Sequence, residues 1–255
     1  MKILKFKKIS NEKYKVYLDN GDVLPLFEDV IINNKLLITK EIRDDMYNKL
    51  LKQNNEIHAY NMSLKYISIR MRSIKEVREY LKRKDVCDEL IDIIITKLQK
   101  QDYLNDFNFA KAYTNDQLIL SNKGPQKIKN ELMALGISYD VIREVSEEIN
   151  ENILKEKLSN LIEKQIKIKK GSTNLVKSKI INYFINLGYE KSMIINELSK
   201  YNLKSDIDKL NKEYIKLYNK YKSKYKDEKL SYFISQKLYM KGYTSSDISK
   251  IQKKV

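Results

Sequence analysis

A cassette of about fifty residues recurs four times along the chain. Three glycines, Gly136, Gly188 and Gly242, stand 52 and 54 positions apart, and Asp85 lies 51 positions before the first. Each of these four positions has an apolar residue eight before it (Val77, Ile128, Ile180, Ile234) and another four before it (Leu81, Leu132, Phe184, Leu238). Val86, Ile137, Tyr189 and Tyr243 follow directly, and a second apolar pair comes soon after: Ile91 with Ile94, Ile142 with Val145, Ile194 with Leu198, Ile248 with Ile251. Apolar residues four apart share a helix face, and a glycine four past the last of them stands where a helix closes through a left-handed residue. Each cassette therefore reads as helix, stop, helix. Units of this period bury their apolar faces on their neighbours, so the chain should form an elongated stacked array.

Composition agrees. With 33% charged and 42% hydrophobic residues, 255 residues are thinly supplied for one globule, whereas an array needs less core. Two prolines and six glycines suit a mostly helical protein. The one cysteine, Cys87, and the one histidine, His58, can build neither an intramolecular disulfide nor a metal site, and no metal or other cofactor is expected. The sequence holds no apolar run long enough to span a bilayer and no apolar signal core at its start, which points to a cytoplasmic protein without a membrane partner.

The first residues differ from the rest. Lys2 to Ser10 and Lys13 to Leu18 alternate apolar with polar residues, Asp19-Asn20-Gly21-Asp22 is a hairpin turn signal, and Val23 to Phe27 is a return strand that Pro25 restricts to an edge. Thr39 is placed to cap a helix from Lys40 to about Asn54. The expected organisation is a small β-hairpin-containing domain (1–57), three-helix repeats over 58–122, 123–171 and 172–227, and a truncated repeat over 228–255. Ser73 and Glu76 form a capping-box pair that fixes a helix from Ile74 to about Arg83, and Gly124-Pro125 opens the equivalent helix of the second cassette. Ser138 and Thr244 are cap residues after their stops, whereas Cys87 and Glu190 at the same position should cap weakly. Third helices fit over about Asp106 to Leu120, Asn152 to Ile168 and Asp206 to Lys226.

No catalytic constellation stands out. His58 lies among polar residues at a helix junction, and the pairs Asp44-Asp45 and Glu147-Glu148 point about 100° apart on a helix, a poor geometry for two-metal chemistry. The tyrosines of Leu210, Tyr214, Leu217, Tyr218, Tyr221 and Tyr225 have the spacing of a core stripe rather than of a stacking platform. Charge is more informative. The net +16 attracts polyanions, and it is uneven: eight bases against two acids over Lys65 to Lys84, six lysines and no acid over Lys164 to Lys179, and six acids against two bases over Asp140 to Glu156. On the first capped helix Val77 and Leu81 face the core, which sets Lys75, Arg78 and Lys82 on a roughly opposite stripe with Arg70, Arg72, Arg83 and Lys84 at its ends. These seven, with Lys123, Lys127, Lys164, Lys167, Lys169 and Lys170, are the candidate polyanion-binding residues. Ser73, Glu76, Gly124, Pro125, Gly136, Gly188 and Gly242 are the structural ones.

Three motifs, in order, resemble the RecX family of bacterial recombination regulators. They are Arg70-x-Arg72-Ser73-x-x-Glu76-Val77-x-x-x-Leu81; Tyr103-Leu104-Asn105-Asp106-x-x-Phe109-Ala110-x-x-Tyr113; and Gly124-Pro125-x-x-Ile128-x-x-Glu131-Leu132-x-x-x-Gly136-Ile137. The resemblance covers about residues 60–145 well, and Asp85 departs from the glycine usual at that stop. It implies a curved array of three-helix repeats that docks in the groove of a RecA nucleoprotein filament and restrains its ATPase and strand exchange without catalysis of its own; the chain itself is expected to be a monomer. Single- or double-stranded DNA would then be a weaker, second partner.

Two rival readings share the pattern. Helix, turn, helix also describes a helix-turn-helix regulator that binds DNA without RecA, although four repeats with the same apolar positions favour stacking. An RNA-binding helical repeat would show base-reading residues at one fixed position, and the residues five before each stop, Tyr80, Glu131, Tyr183 and Lys237, show no such code.

Overall fold

The structure, a computed structural model, describes residues 1–252, which fall into two compact units, one from Met1 to Phe109 and one beginning at Ala110. The first unit opens with three antiparallel strands, β1 (Ile3–Lys8), β2 (Lys13–Leu18) and β3 (Val23–Phe27), in the order β1-β2-β3. Gly21 closes the expected hairpin at φ +91°, a conformation open to glycine, while the Asn20 side chain accepts the Asp22 amide at 3.1 Å. Pro25, which has no amide to give, sits on the edge strand β3. Alternation sends Val16, Leu18, Leu24 and Leu26 to one face, where they pack with Val30, Ile31, Leu36, Ile42 and Leu50.

After the sheet come α1 (Glu28–Asn33), α2 (Leu36–Thr39) and α3 (Asp44–Ile67). Here the expected helix from Lys40 is corrected. Thr39 ends α2, its hydroxyl donating to the Lys35 carbonyl at 3.3 Å, and α3 begins only at Asp44. Asp44 and Asp45 occupy its first turn, where the helix dipole favours carboxylates, and that is the role of the pair. α3 runs unbroken through residues 57 and 58.

The remaining helices are α4 (Ile74–Lys82), α5 (Asp88–Lys100), α6 (Asp106–Leu120), α7 (Pro125–Ala134), α8 (Tyr139–Glu147), α9 (Glu151–Ile168), α10 (Thr173–Asn186), α11 (Lys191–Ser199), α12 (Ile207–Tyr221), α13 (Asp227–Met240) and α14 (Ser245–Gln252). No strand follows β3 among the described residues. The four stops fall where the repeat places them. Asp85, Gly136, Gly188 and Gly242 have φ of +58°, +84°, +88° and +84°. At each, the stop's amide and the next one bond back into the last turn, as Gly136 N–H to the Met133 carbonyl (3.0 Å) and Ile137 N–H to Leu132 (3.1 Å). This is a Schellman ending, and Asp85 adopts it as the glycines do. Ser73 and Glu76 complete their capping box, Ser138 and Thr244 cap α8 and α14, and Cys87 and Glu190 make no side-chain cap bond.

The phase of the repeat differs from the expected one. Leu154, Leu158 and Ile162 of α9 share one core with Val176, Ile180 and Phe184 of α10 and Ile194 and Leu198 of α11. Likewise α12 supplies Leu210 and Tyr214 to a core with α13 and α14, and α3 supplies Ala59 to the core of α4 and α5. Of the presumed third helices, α9 and α12 thus pack forward; α6 is tied forward by Tyr113 to Glu131 of α7 (2.8 Å) and by Lys111 to Glu148 at the end of α8 (2.7 Å), while its Leu118 also packs on the core of α9–α11, and the modules are α3–α5, α6–α8, α9–α11 and α12–α14. The fourth group is a full three-helix module rather than a truncated one.

Within the second unit the modules meet end to end. The Gly124 amide, before α7, donates to the Leu187 carbonyl at the end of α10 (2.7 Å), and the Gln126 amide donates to the Gly188 carbonyl (3.0 Å). One module further on, the Ser172 hydroxyl before α10 donates to the Lys241 carbonyl at the end of α13 (2.7 Å). The N-terminal donors of one helix therefore satisfy C-terminal acceptors of the next module's helix, and the two dipoles meet with opposite ends. The approach is close: a Cβ on Gly124 would stand 2.5 Å from the Gly188 carbonyl carbon. Lys157 on α9 adds a charged donor to the Leu118 carbonyl near the end of α6 at 2.5 Å.

Candidate functional site

The basic stripe on α4 is where the sequence places it, but its charges are largely answered. Arg78 meets Asp92 of α5 at 2.6 Å, Lys82 meets Asp88 at 2.8 Å, and Lys75 lies 3.8 Å from Glu79. Arg70 and Arg72 both reach Glu76, at 2.5 and 3.3 Å. Arg72 is held further: its guanidinium stands 4.1 Å above the Tyr66 ring, Tyr66 stacks on Tyr80 at 4.1 Å, and its Nε is buried without a hydrogen bond. Burial pushes the Glu76 carboxyl up, but the Ser73 amide and the two arginines outweigh it and hold the group below the ordinary glutamate value. Arg70, Arg72, Ser73 and Glu76 thus form one cap network that fixes the start of α4. The Ile74 amide completes it by donating to Asp106 at the head of α6, 2.9 Å away. Burial raises the Asp106 carboxyl, and the amide bond offsets it in part. Thr173 makes the matching bond to Ser205 (3.1 Å). Pro125, in the same place on α7, has no amide to satisfy.

The other candidates lie in the second unit. Lys123 meets Glu131 at 2.7 Å, and Tyr113 of α6 donates its hydroxyl to the same carboxylate at 2.8 Å, so the motif tyrosine and lysine tie α6 to α7. Burial raises the Glu131 carboxyl, but Lys123 and Tyr113 outweigh it and leave it lowered. Lys167 pairs with Glu163 at 2.7 Å, and Lys169 stands over the Tyr183 ring at 5.2 Å. Among the described residues, Lys127, Lys164 and Lys170 have no carboxylate within ion-pair distance, nor do Arg83 and Lys84 in the first unit. The sequence window over Lys65 to Lys84 missed the counter-charges because Asp88 and Asp92 arrive from the next helix.

No group of three metal-ligating side chains occurs among the described residues. His58 is an exposed side chain with one ring contact, edge-on to Phe27 at 6.1 Å between centroids, and partial burial followed by the charge of Lys13 lowers its pKa. Cys87 is exposed. On α12, Tyr214 is buried and Tyr221 packs on Phe233 at 4.8 Å, the core stripe expected; Tyr218 and Tyr225 are partly open. No helix of the described residues is long and apolar enough to cross a membrane.

Residues 59–98 match the family model described as RecX, first three-helix domain, and residues 105–145 match RecX, second three-helix domain. The first match runs from the middle of α3 to α5 and the second from the approach to α6 into α8, the same phase as the modules. The chain is 30% identical over 253 residues to the regulatory protein RecX of Streptococcus pneumoniae (strain Hungary19A-6), covering 98% of this chain and 97% of that one. Two crystal structures are similar. One, described as regulatory protein RecX, has a TM-score of 0.67 at 22% identity, covering 78% of this chain and 99% of its own. The other, RecX from Lactobacillus salivarius, has a TM-score of 0.55 at 29% identity, covering 58% and 99%.

Proposed function

The chain belongs to the RecX family of regulatory proteins, and from that premise we propose that it binds a RecA nucleoprotein filament and restrains its ATPase and strand exchange, so limiting homologous recombination and DNA repair in the cytoplasm. The carrying observation is the set of tandem three-helix modules over a chain similar along its whole length to proteins named as regulators. Within the second unit, modules fastened end to end by hydrogen bonds form a ligand that can meet more than one protomer of a polymer at once, which raises affinity without any single strong contact. Such a protein works by stoichiometric binding, as a monomer and without turnover. Contacts to filament phosphates or acidic side chains fall, in this reading, to the bases that lack an intramolecular carboxylate: Arg83, Lys84, Lys164 and Lys170; Lys127 lies within the field of Glu131 and contributes less. The bases answered by Glu76, Asp88 and Asp92 mainly shape α4.

The test is RecA's single-stranded-DNA-dependent ATPase and strand exchange with the purified chain added at equimolar amounts. Inhibition is expected. Unchanged rates defeat the proposal, and tight binding to one defined duplex sequence without RecA would replace it with the helix-turn-helix reading.

A further inference from the structure

The N-terminal sheet has a second face that the core does not use. Strand register places Lys5 opposite Tyr17 and Lys7 opposite Lys15 between β1 and β2, and Lys15 opposite Pro25 and Tyr17 opposite Val23 between β2 and β3. Alternation along β2 sends Val16 and Leu18 into the core and Lys15 and Tyr17 outward, so Lys5, Lys7, Lys15, Tyr17, Val23 and Pro25 form one continuous outer surface. Lys5, Lys7 and Lys15 are exposed, and Lys5 Nζ stands 4.6 Å over the Tyr17 ring. The irregularity between Ile3 and Lys5 is what turns Lys5 outward after the buried Ile3.

Nothing on this face answers the positive charge. The acids of the sheet region, Glu12, Asp19 and Asp22, lie in its turns, and among the described residues none of Lys5, Lys7 and Lys15 has a carboxylate within ion-pair distance, unlike the bases of α4. Like charges directly opposite each other on a sheet destabilise it, and Lys7 and Lys15 are such a pair. An edge strand needs some lysine to deter pairing, but Lys15 is on the central strand β2, where no edge needs guarding. An acid-free face with three lysines around a tyrosine has the chemistry of a single-strand platform: cations track the phosphates and an aromatic ring meets a base.

We propose that the outer face of the N-terminal sheet, through Lys5, Lys7, Lys15 and Tyr17, binds the sugar-phosphate backbone of single-stranded DNA. The site is separate from the helical modules and needs no RecA. Bound phosphate relieves the Lys7–Lys15 repulsion, and a base displaces Lys5 from the Tyr17 ring.

The experiment is fluorescence anisotropy of a labelled oligothymidylate titrated with the full chain across a range of salt, comparing wild type with Lys5→Gln/Lys7→Gln/Lys15→Gln. Each lysine that neutralises a phosphate adds about 0.7 to the slope of log K against log salt, so the triple variant should have a slope shallower by about 2. If the two lines meet near 1 M salt, this makes the variant about a hundredfold weaker at 0.1 M. The variant should melt close to wild type, because removal of the Lys7–Lys15 like-charge pair offsets loss of the Lys5–Tyr17 cation–π contact. A second measurement uses wild type only: saturating oligothymidylate should protect these three lysines from acetylation, read by mass spectrometry, so an unfolded variant leaves the proposal testable. An unchanged slope, the absence of wild-type binding, or unprotected lysines would overturn it, as would binding to phosphatidylserine vesicles in place of DNA. Because RecA is absent throughout, these outcomes are independent of the filament proposal.

Discussion

The junction between the second and third modules makes the sharpest prediction. Gly188 ends α10 at φ +88°, and a Cβ there would stand 2.4 Å from the Lys127 amide nitrogen and 2.7 Å from its Cβ, both in the neighbouring module. Replacing Gly188 by alanine therefore adds a left-handed strain of about 1–2 kcal/mol. It also forces apart the two backbone bonds, Gly124 to Leu187 and Gln126 to Gly188, at about 0.5–1.5 kcal/mol each, for a sum of roughly 2–5 kcal/mol. Gly124→Ala has the second component without the first, since only the contact with Gly188 forbids a side chain there, and should cost about 1–3 kcal/mol. Gly21→Ala is the control: its φ is +91° but a Cβ would meet nothing within 4 Å, so only the strain of about 1–2 kcal/mol applies. Because the first two substitutions break the same bonds, the double variant should fall short of additivity by about 1–3 kcal/mol. Urea unfolding by circular dichroism measures the three costs. Hydrogen exchange of peptides covering Gly124 and Gln126 localises the effect, with protection weakened in both junction variants and kept in Gly21→Ala. A Gly188→Ala protein no less stable than Gly21→Ala, with full protection at Gly124, refutes the head-to-tail junction.

Other consequences follow from the same geometry. Ser73→Ala should cost about 1 kcal/mol, up to about 2, by removing the capping box, and thermal unfolding of the first unit should show it. Glu131→Gln should weaken the second unit at neutral pH. The Glu131 pKa is lowered in the fold, so its contribution is present above the unfolded glutamate value and is lost as pH falls through the folded one; wild type and variant should converge in acid unfolding once the pH lies below that folded value. Lys164→Glu/Lys170→Glu should weaken RecA inhibition and flatten its salt dependence by about 0.7–0.9 for every phosphate no longer neutralised, whereas Arg78→Ala should leave both nearly unchanged; the reverse order would return the binding site to α4.

The stops were legible because backbone chemistry writes them locally. A left-handed residue favours glycine, and four such positions at one period, each preceded by apolar residues one and two turns back, admit few other readings. Asp85 was legible only through the period, since aspartate adopts the same conformation less readily. The phase was not legible. Connections between the observed modules (Gln101–Asn105, Glu148–Asn150, Lys200–Asp206) are 5, 3 and 7 residues before helices α6, α9 and α12, against 4, 4 and 5 residues after them, so loop length does not say which way a third helix turns. Packing decides that, through Leu154, Leu158 and Ile162 meeting Phe184, residues far apart in sequence. The start of α3 was missed because its N-cap, Arg43, makes no side-chain cap bond; the usable signal was the acidic first turn of Asp44 and Asp45.

The candidate site shows the same division between local and distant information. Eight bases over Lys65 to Lys84 are a real feature of the sequence, yet the helix packed beside α4 brings Asp88 and Asp92 to two of them, and the capping glutamate holds two more. An exposed pair of this kind contributes little stability, about 0–1 kcal/mol. Its larger effect is on binding, since a base must leave its carboxylate to reach a phosphate, exchanging one partner for another with small net gain. A lysine with no such partner releases counterions for the phosphate alone and gives up nothing within the fold. The attraction expected of a +16 chain should therefore be expressed where sequence acids and neighbouring helices both fail to answer it: on the outer face of the sheet at Lys5, Lys7 and Lys15, and at Lys164 and Lys170 beside the end of α9. A binding footprint centred on Arg70, Arg72 and Arg78, with those five lysines untouched, would show that intramolecular pairing does not govern where this chain meets a polyanion.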